Sequence, residues 1–363
     1  MIEKFDYIII NKEESIRDAI KKLDNYSEKI LFVVDAENHL VGSLTDGDIR
    51  RWILGGGNDF NIKVDSACFK KPFFMQDSYH LEKEKLITDG IRDTVLKKKI
   101  NYIPVVNDSK VIIKILTWDD LFGTTQIKTV KDKINIPVII MAGGKGTRLD
   151  PFTRVLPKPL IPVGDKTIVE IIIDKFLVYG ANTFFLSVNH KANIIKSYFE
   201  DLTLSYYLYY IEENSPLGTA GSLKLIQNKI SENIFVTNCD ILVDADYFDL
   251  SVFHKSNNYS ITIVASLKHF NIPYGVCEIN DGGALKKIIE KPEYNFLVNT
   301  GMYVLKSEVL NLIPSDKAFD MTDLINAVTF SGGKVGVYPI SEKSWIDIGE
   351  WSEYRKALEA LKI

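Results

Sequence analysis

An ungapped internal repeat constrains the fold of the first third of the chain. Residues 33–48, VVDAENHLVGSLTDGD, align with residues 105–120, VVNDSKVIIKILTWDD, at a constant offset of 72 residues. Each copy predicts two short strands rich in β-branched residues, joined by a polar turn and followed by the start of a helix. A Thr-x-x-Asp sequence stands at each strand-to-helix junction, as expected of a capping box. We therefore predict a duplicated β-β-α unit within residues 1–125.

Residues 136–363 show a different pattern. Apolar strands alternate there with helical segments, beginning with IPVIIM at 136–141, and a helix is predicted from Thr167 to Gly180. The alternation predicts an α/β domain with a mostly parallel sheet, whose ligands bind at the carboxyl ends of the strands. Residues 126–135, which are polar and rich in Lys, are predicted to link the two parts.

Composition excludes several classes of protein. The 363 residues include 44 Lys and Arg against 48 Asp and Glu, and residues 1–135 carry 22 of each sign, so the net charge of −4 belongs to the second part. This balance excludes a general basic surface for nucleic acid. Three scattered cysteines without a Cys-x-x-Cys pair indicate a reducing, cytoplasmic compartment. No apolar run approaches the ~20 residues of a membrane span. We predict neither a nucleic-acid nor a membrane partner.

A glycine-rich segment carries the strongest chemical signal. MAGGKGTRLDPFTRVLPKPLIPVG, residues 141–164, directly follows the first strand of the second part. Gly143, Gly144 and Gly146 let a ligand approach bare backbone N–H groups, as a phosphate-binding loop requires. Arg148 and Lys158 add two cations that can neutralise a polyphosphate. A tight turn with surface cations is the alternative, but a turn alone needs neither three glycines nor Pro-Lys-Pro, so we favour phosphate binding.

GGKGTRLDPFT and PKPLIPVG resemble the signature of the sugar-1-phosphate nucleotidyltransferases, and further motifs of that family follow in order. They are SPLGTAGSL at 215–223, TNCD at 237–240, IEKP at 289–292, NTG at 299–301 and WIDIG at 345–349. The resemblance covers residues 136 to about 360. It implies a Rossmann-like, GT-A-like domain with a mixed sheet, and Mg²⁺-assisted in-line attack of a sugar 1-phosphate on the α-phosphorus of a nucleoside triphosphate.

The same resemblance implies roles for particular residues. Arg148 would face the leaving pyrophosphate and Lys158 the transferring phosphoryl group, while Asp240 and Asp347 would hold Mg²⁺. The residues implied at the nucleotide are Ala142, Gly143, Gly144, Gly146, Thr147, Glu213 and Gly218. The residues implied at the sugar phosphate are Gly275, Glu290, Lys291 and Asn299.

Each of these assignments has a structural alternative. Asp240 or Asp347, taken singly, could equally be a helix cap or a turn residue. Glu290 and Lys291 could be a solvated pair before a proline. Cys239, beside Asp240, is predicted to be a small buried residue rather than a nucleophile, because the sequence indicates no basic partner for it.

The N-terminal repeat resembles a pair of CBS domains. GSLTDGDIRR at 42–51 and LTWDDLF at 116–122 carry this resemblance. Such tandem modules commonly bind adenosine nucleotides, which implies ribose and phosphate contacts for the Thr and Asp of each copy: Thr45, Asp48, Thr117 and Asp120. Lys114 stands where the first copy has Gly42. A folding and dimerisation module without a ligand remains equally open.

The whole chain most resembles bacterial glucosamine-1-phosphate guanylyltransferases of the legionaminic acid pathway. This resemblance implies GTP and glucosamine 1-phosphate as substrates, and we also predict a homo-oligomer. Three alternatives stay open: a mannose- or heptose-1-phosphate guanylyltransferase, a glucose-1-phosphate thymidylyl- or uridylyltransferase, and a non-catalytic regulatory subunit that senses nucleotides.

Overall fold

The computed structural model describes residues 6–25, 29–76, 102–117, 133–144, 146–230, 232–349, 351 and 353–355. The chain divides into two compact units, Met1–Val130 and Lys131–Ile363. The predicted linker, residues 126–135, falls across this division, and its residues 126–132 lie outside the described ranges. Within those ranges, no helix is both long enough and apolar enough to cross a bilayer.

The first copy of the repeat contains the predicted β-β-α unit, preceded by a strand and a helix. Its elements are β1 (Ile9–Asn11), α1 (Ile16–Asn25), β2 (Ile30–Val34), β3 (Leu40–Thr45) and α2 (Asp46–Leu54). β1 pairs in parallel with β2, and β2 pairs in antiparallel with β3. The helix α2 begins at the predicted capping box, in which the Asp48 carboxylate accepts from the Thr45 N–H at 2.8 Å.

The second copy repeats the first at the same offset. β5 (Tyr102–Val106) and β6 (Ile112–Thr117) begin and end 72 residues after β2 and β3, and β4 (Met75–Gln76) takes the place of β1. Both hairpins carry a register shift at the equivalent position. The predicted strands are therefore present in both copies, whereas the helix predicted after β6 lies outside the described residues.

The two copies meet at the tips of their hairpins. His39 forms an antiparallel bridge with Val111, its own equivalent in the second copy, and the Leu40 N–H donates to the Lys110 carbonyl at 2.8 Å. Side chains of both copies form one buried cluster: Ile8, Phe32, Val34, Leu40, Val106, Ile112 and Ile115. The copies therefore share a core rather than folding as two separate domains.

A mixed sheet organises the second unit. Its strands are β7 (Val138–Met141), β10 (Thr183–Val188), β11 (Tyr207–Glu212), β12 (Ile234–Asn238), β14 (Ile261–Asn271), β17 (Glu293–Leu305) and β18 (Val335–Ile340). They lie in the order β11-β10-β7-β12-β17-β14-β18. The pairs from β11 to β12 and the pair of β14 with β18 are parallel, as predicted, but β17 runs antiparallel to both of its neighbours.

Short ladders and helices complete this unit. The ladders join β8 (Pro162–Val163) to β9 (Lys166–Thr167), β13 (Ile241–Val243) to β19 (Trp345–Asp347), and β15 (Val276–Ile279) to β16 (Leu285–Ile289). The helices are α3 (Phe152–Val155), α4 (Ile168–Leu177), α5 (Ala192–Glu200), α6 (Gly218–Gly221), α7 (Tyr247–Ser256) and α8 (Met321–Phe330).

Both faces of the sheet are buried. Along β7, Val138 and Ile140 belong to one apolar cluster and Ile139 to another on the opposite face. This double burial explains why the strand reads as a continuous apolar run. Helix α4 covers one face and begins at a capping box formed by Thr167 and Glu170, close to its predicted start.

Three adjacent strands end in register at one edge of the sheet. Met141, the last residue of β7, pairs with Ser187 of β10 on one side and with Asn238 of β12 on the other. The segments that follow these three strands therefore gather at the same edge. This is the edge at which an α/β sheet with parallel strands binds its ligands.

Candidate active site

A cleft of about 490 Å³ opens at this edge of the sheet. It gathers nine of the predicted site residues: Gly143, Gly144, Gly146, Thr147, Arg148, Lys158, Glu213, Gly218 and Asp240. Met141, Pro216, Thr219, Asn238 and Cys239 complete its lining. Residues that are distant in sequence thus line one concave site with convergent polar groups.

Close approach of other groups requires glycine at two positions of the loop after β7. A Cβ at Gly143 would lie 2.9 Å from Oε1 of Glu213, and a Cβ at Gly146 would lie 2.9 Å from Cγ2 of Thr153. Gly146 also has a φ of +68°, which side chains of L-residues rarely adopt. Gly144 has no atom within 4 Å of the Cβ position, so its backbone is open to a ligand.

Hydrogen bonds fix Glu213, directly after β11, from several sides. Its Oε1 accepts from Ser187 Oγ at 2.5 Å and its Oε2 accepts from the Leu217 N–H at 3.2 Å. Its backbone carbonyl accepts from Asn189 Nδ2 at 2.7 Å. A carboxylate has about four acceptor positions, so about two remain for a ligand in the cleft.

Lys158 lies between the glycine loop and an acidic group. Its side chain is only 9% exposed, and its Nζ contacts Asp240 Oδ2 at 2.5 Å. A Cβ at Gly146 would lie 3.0 Å from Lys158 Cβ, so the stem of the lysine packs against the loop. Burying an ammonium group is costly unless it is paired. Asp240 is therefore the counter-ion of Lys158 in this structure.

The ladder between β13 and β19 places Asp347 beside Asp240. A Cβ at Gly349 would lie 2.7 Å from Asp347 Oδ1, 3.1 Å from Asp240 Oδ2 and 3.4 Å from Lys158 Nζ. Three charged groups therefore face one small volume, which stays free because residue 349 is a glycine. The structure thus brings the two predicted metal ligands together.

The donor set of these two acids fits a hard divalent cation. Burial raises the pKa of Asp347, the Gly349 N–H bonded to Oδ1 at 2.7 Å lowers it in part, and the Asp240 carboxylate raises it further. A cation between the two carboxylates would relieve this repulsion. Mg²⁺ is characteristically held by one or two carboxylates together with substrate phosphates, so these residues suit it.

Two residues at the cleft considered in the sequence analysis, Ala142 and Cys239, are buried. The Ala142 side chain is 1% exposed and packs in the core, and its N–H donates to the Ser187 carbonyl at 2.8 Å, so Ala142 is not part of the cleft lining. Burial, with a contribution from the Asp240 carboxylate, raises the pKa of the Cys239 thiol to about 12. A thiol of this kind is not a nucleophile at neutral pH, as predicted.

Three of the residues predicted at the sugar phosphate lie outside the cleft lining, at the base of the β15–β16 hairpin. A Cβ at Gly275 would lie 3.0 Å from Glu290 Oε2, so these two positions meet across the hairpin. Lys291 follows, with a φ of +44°. All three residues are exposed. The structure thus brings these three together without bringing them into the cleft.

Asn299 connects to the cleft through its neighbours. Its Oδ1 accepts from the Gly301 N–H at 3.0 Å, and its Nδ2 donates to the Tyr303 hydroxyl at 2.8 Å. A Cβ at Gly301 would lie 2.5 Å from Nδ2 of Asn238, which lines the cleft. The Asn-Thr-Gly motif therefore packs against Asn238, a residue of the cleft lining.

The predicted ligand positions of the N-terminal unit are occupied by internal contacts in the first copy. The Thr45 hydroxyl donates to Asp48 Oδ2 at 2.7 Å, and Arg51 donates to Asp48 Oδ1 at 2.6 Å. Thr117 ends β6, while Asp120 lies outside the described residues. The Thr-x-x-Asp sequence of the first copy thus acts here as a helix cap.

A second cavity of about 240 Å³ lies beside the hairpin tips of this unit. Its lining combines three lysines with apolar side chains from both copies: Leu40, Lys70, Lys71, Pro72, Phe74, Val106 and Lys110. Lys70 is paired with Asp65. The cavity is therefore positively charged over an apolar floor, and neither Thr45 nor Asp48 belongs to its lining.

Sequence reasoning missed several residues that build the cleft. Asn238 and Thr219 stand inside the motifs quoted for the resemblance, so the motifs themselves contained the signal. Ser187, which holds Glu213, belongs to none of the motifs quoted above. Asp320, which binds Thr219 from a distant part of the chain, carried no sequence signal.

Comparison with known proteins agrees with this geometry. Residues 137–362 match the family model described as nucleotidyl transferase, and residues 2–55 match the model of the CBS domain. UTP–glucose-1-phosphate uridylyltransferase of Synechocystis sp. is 31% identical over 244 residues, which cover 61% of this chain and 62% of that protein. Mannose-1-phosphate guanyltransferase of Yarrowia lipolytica is 34% identical over 186 residues, which cover 48% of this chain and 50% of that protein.

The chain thus spans less than two thirds of the length of these curated relatives.

Among solved structures, HddC from Yersinia pseudotuberculosis is 27% identical with a TM-score of 0.49, and the match covers 62% of this chain and 99% of that one.

Proposed function

The chain belongs to the nucleotidyl transferase family, and we propose that it transfers a nucleotidyl group from a nucleoside triphosphate to a sugar 1-phosphate. The observation that carries the proposal is one cleft lined by an open glycine loop, the buried Lys158 and Asp240, with Asp347 beside Asp240 although outside the lining. The loop offers N–H groups to phosphates, and the acids suit a divalent cation.

The proposed chemistry needs little beyond positioning and charge neutralisation. An oxygen of the sugar phosphate attacks the α-phosphorus, the bond from that phosphorus to the bridging oxygen breaks, and pyrophosphate leaves with the electron pair. The attacking phosphate is already ionised, so no general base is required. Arg148 and Lys158 would hold the negative phosphates in line. Asp240 and Asp347 would hold Mg²⁺, which supplies charge neutralisation at the phosphates.

The Glu213 carboxylate supports GTP as the substrate that supplies the nucleotidyl group. A carboxylate accepts hydrogen bonds and cannot donate them. Guanine offers two adjacent donors, its N1–H and its 2-amino group, whereas uracil and thymine offer one N–H between two carbonyl oxygens. The acceptor positions left on Glu213 match guanine, and an unpaired carbonyl facing a carboxylate disfavours the pyrimidines.

We expect Glu213→Gln to reverse this preference. Loss of a hydrogen bond to a charged acceptor should lower kcat/KM for GTP by about 10- to 100-fold, and kcat/KM for UTP or dTTP should rise. Steady-state kinetics with the four nucleoside triphosphates measure both. The matched control is Glu212→Gln, because Glu212 is an exposed neighbour that pairs with Lys196 instead. An unchanged order of nucleotides in Glu213→Gln would show that Glu213 does not read the base.

For the acceptor we propose glucosamine 1-phosphate. This sugar carries an ammonium group where glucose 1-phosphate and mannose 1-phosphate carry a hydroxyl. Among the residues predicted at the sugar phosphate, Glu290 has the carboxylate that would accept a hydrogen bond from this ammonium group. Lys291 would bind the sugar phosphate. Mannose, heptose and glucose 1-phosphates are the competing acceptors.

One experiment tests the proposed activity as a whole. Pyrophosphate release is measured for four nucleoside triphosphates against a panel of hexose, hexosamine and heptose 1-phosphates, with Mg²⁺ and with EDTA. We expect the fastest turnover with GTP and glucosamine 1-phosphate, and none in EDTA. Absence of turnover with every pair would reject the enzyme and favour a nucleotide-sensing subunit.

For the N-terminal unit we propose a CBS pair that binds an adenosine nucleotide, with a homo-oligomer as the assembled form. The cavity beside the hairpin tips supports an anionic ligand, since Lys70, Lys71 and Lys110 surround it over an apolar floor. Its volume of about 240 Å³ is half that of the catalytic cleft and suits a monophosphate better than a triphosphate.

We expect AMP to raise the melting temperature of the full chain, and Lys71→Ala with Lys110→Ala to abolish the shift. Lys114→Ala is the control, because Lys114 is exposed on β6 and does not line the cavity. A shift that survives in the double variant and is lost in Asp48→Asn would assign the nucleotide to the Thr-x-x-Asp position. Absence of any shift at millimolar AMP would leave the unit a purely structural role.

A further inference from the structure

We propose that Asp320 is a positioning residue for the nucleotide, acting through the loop at residues 216–219 that lines the cleft. The inference rests on the proposed function, in which the nucleobase binds at Glu213, whose carboxylate accepts from the Leu217 N–H of this loop. Asp320 itself is exposed and does not belong to the cleft lining. It stands at the N-terminus of α8, in a capping box in which the Asp323 carboxylate accepts from the Asp320 N–H at 3.0 Å.

Thr219 is the link between Asp320 and the cleft. Oδ1 of Asp320 accepts from the Thr219 N–H at 3.0 Å and from the Thr219 hydroxyl at 3.2 Å. The same hydroxyl accepts from the Met321 N–H at 2.8 Å, so it bridges the carboxylate and the first turn of α8. Thr219 and its neighbours Pro216 and Gly218 line the cleft.

Backbone contacts continue the attachment along the loop. The Phe319 N–H donates to the Leu217 carbonyl at 2.8 Å, and the Phe319 carbonyl accepts from the N–H groups of Ala220 and Gly221 at 3.0 and 2.9 Å. A Cβ at Gly218 would lie 2.8 Å from Asp320 Oδ1, and Gly218 has a φ of +80°. A glycine here is therefore required by the approach of Asp320, in addition to any ligand.

The loop is consequently fixed at both ends. Glu213 holds its start through the Leu217 N–H, and Asp320 holds its end through Thr219. A loop that is fixed before binding loses less conformational entropy when the ligand arrives. If release of Asp320 left the loop in its binding conformation one tenth of the time, the apparent affinity for the nucleotide would fall tenfold.

This role predicts a particular kinetic signature. The base is remote from the reacting phosphorus, so weaker holding of the loop removes binding that the ground state and the transition state share. We expect Asp320→Asn to raise the KM for the nucleoside triphosphate about tenfold, with kcat changed less than threefold. Thr219→Val should produce the same effect, and Thr219→Ser, which keeps the hydroxyl, should restore most of the affinity.

Asp323→Asn is the matched control. This substitution weakens the capping box of α8 but removes no contact to Thr219. If Asp320 only caps the helix, Asp320→Asn and Asp323→Asn should have equal effects. Equilibrium binding of each nucleoside triphosphate by calorimetry, on the full chain without a sugar acceptor, separates this inference from the proposed reaction. Binding weakened in Asp320→Asn and Thr219→Val supports the inference even where turnover is absent. Unchanged binding in Thr219→Val, or equal losses in Asp320→Asn and Asp323→Asn, overturns it.

Discussion

Asp240→Asn is expected to lower kcat at least about 100-fold while the protein still folds. The substitution keeps the size and the hydrogen-bonding oxygen of the side chain but removes the charge shared between Lys158 and the proposed Mg²⁺. Catalysis then loses a preorganised carboxylate at the point where the phosphates carry the most negative charge. Steady-state kinetics over a Mg²⁺ titration measure the effect, and the concentration of Mg²⁺ at half-maximal activity should rise as well.

The control for this variant is Asp165→Asn, since Asp165 is exposed in the turn between β8 and β9. Far-ultraviolet circular dichroism and a thermal melt exclude unfolding as the cause. Activity of Asp240→Asn within a few-fold of the wild type would reject Asp240 as a metal ligand. Asp347→Asn should behave in the same way, because both carboxylates face the volume beside Gly349.

The local parts of the fold followed from the sequence because their causes are local. β5 and β6 begin and end 72 residues after β2 and β3, which is the offset of the sequence repeat. The offset is kept because strand pairing and turn length fix the same hydrogen-bond register in both copies. The start of α4 at Ile168, directly after its N-cap Thr167, likewise follows from a capping box that spans the four residues from Thr167 to Glu170.

What the sequence left out depends on partners distant in the chain. β1 is only three residues long and pairs in parallel with β2, and nothing within β1 itself determines that partner. The antiparallel direction of β17 depends on the two strands between which it inserts. In the site, motif order predicted Lys158 and Asp240, whereas Asp320 contacts Thr219 across 101 residues with no pattern that relates them.

Lys158 links the fold of the cleft to its proposed chemistry. The Lys158–Asp240 pair is mostly buried, so each partner stabilises the other's charge when no substrate is present. In the proposed reaction, Mg²⁺ would compete with Lys158 for Asp240, and a polyphosphate would compete with Asp240 for Lys158. Binding of the two together would therefore exchange one ion pair for two without leaving a buried charge unpaired.

Lys158→Ala should separate these two roles. We expect kcat to fall about 100-fold, with a smaller change in the KM for the nucleoside triphosphate, because the lost charge matters most in the transition state. The same variant leaves Asp240 without its counter-ion, so its melting temperature should fall in EDTA and should rise more with Mg²⁺ than that of the wild type. Calorimetric titration should accordingly show Mg²⁺ binding at lower concentration in a protein that turns over more slowly.

Lys166→Ala is the control, since Lys166 forms an exposed ion pair with Asp174. This variant should change neither the kinetic constants nor the response of the protein to Mg²⁺. A rise in KM without a fall in kcat would assign Lys158 to ground-state binding of the polyphosphate. Weaker Mg²⁺ binding in Lys158→Ala would show that lysine and cation do not compete for Asp240, and that binding does not exchange ion pairs at this site.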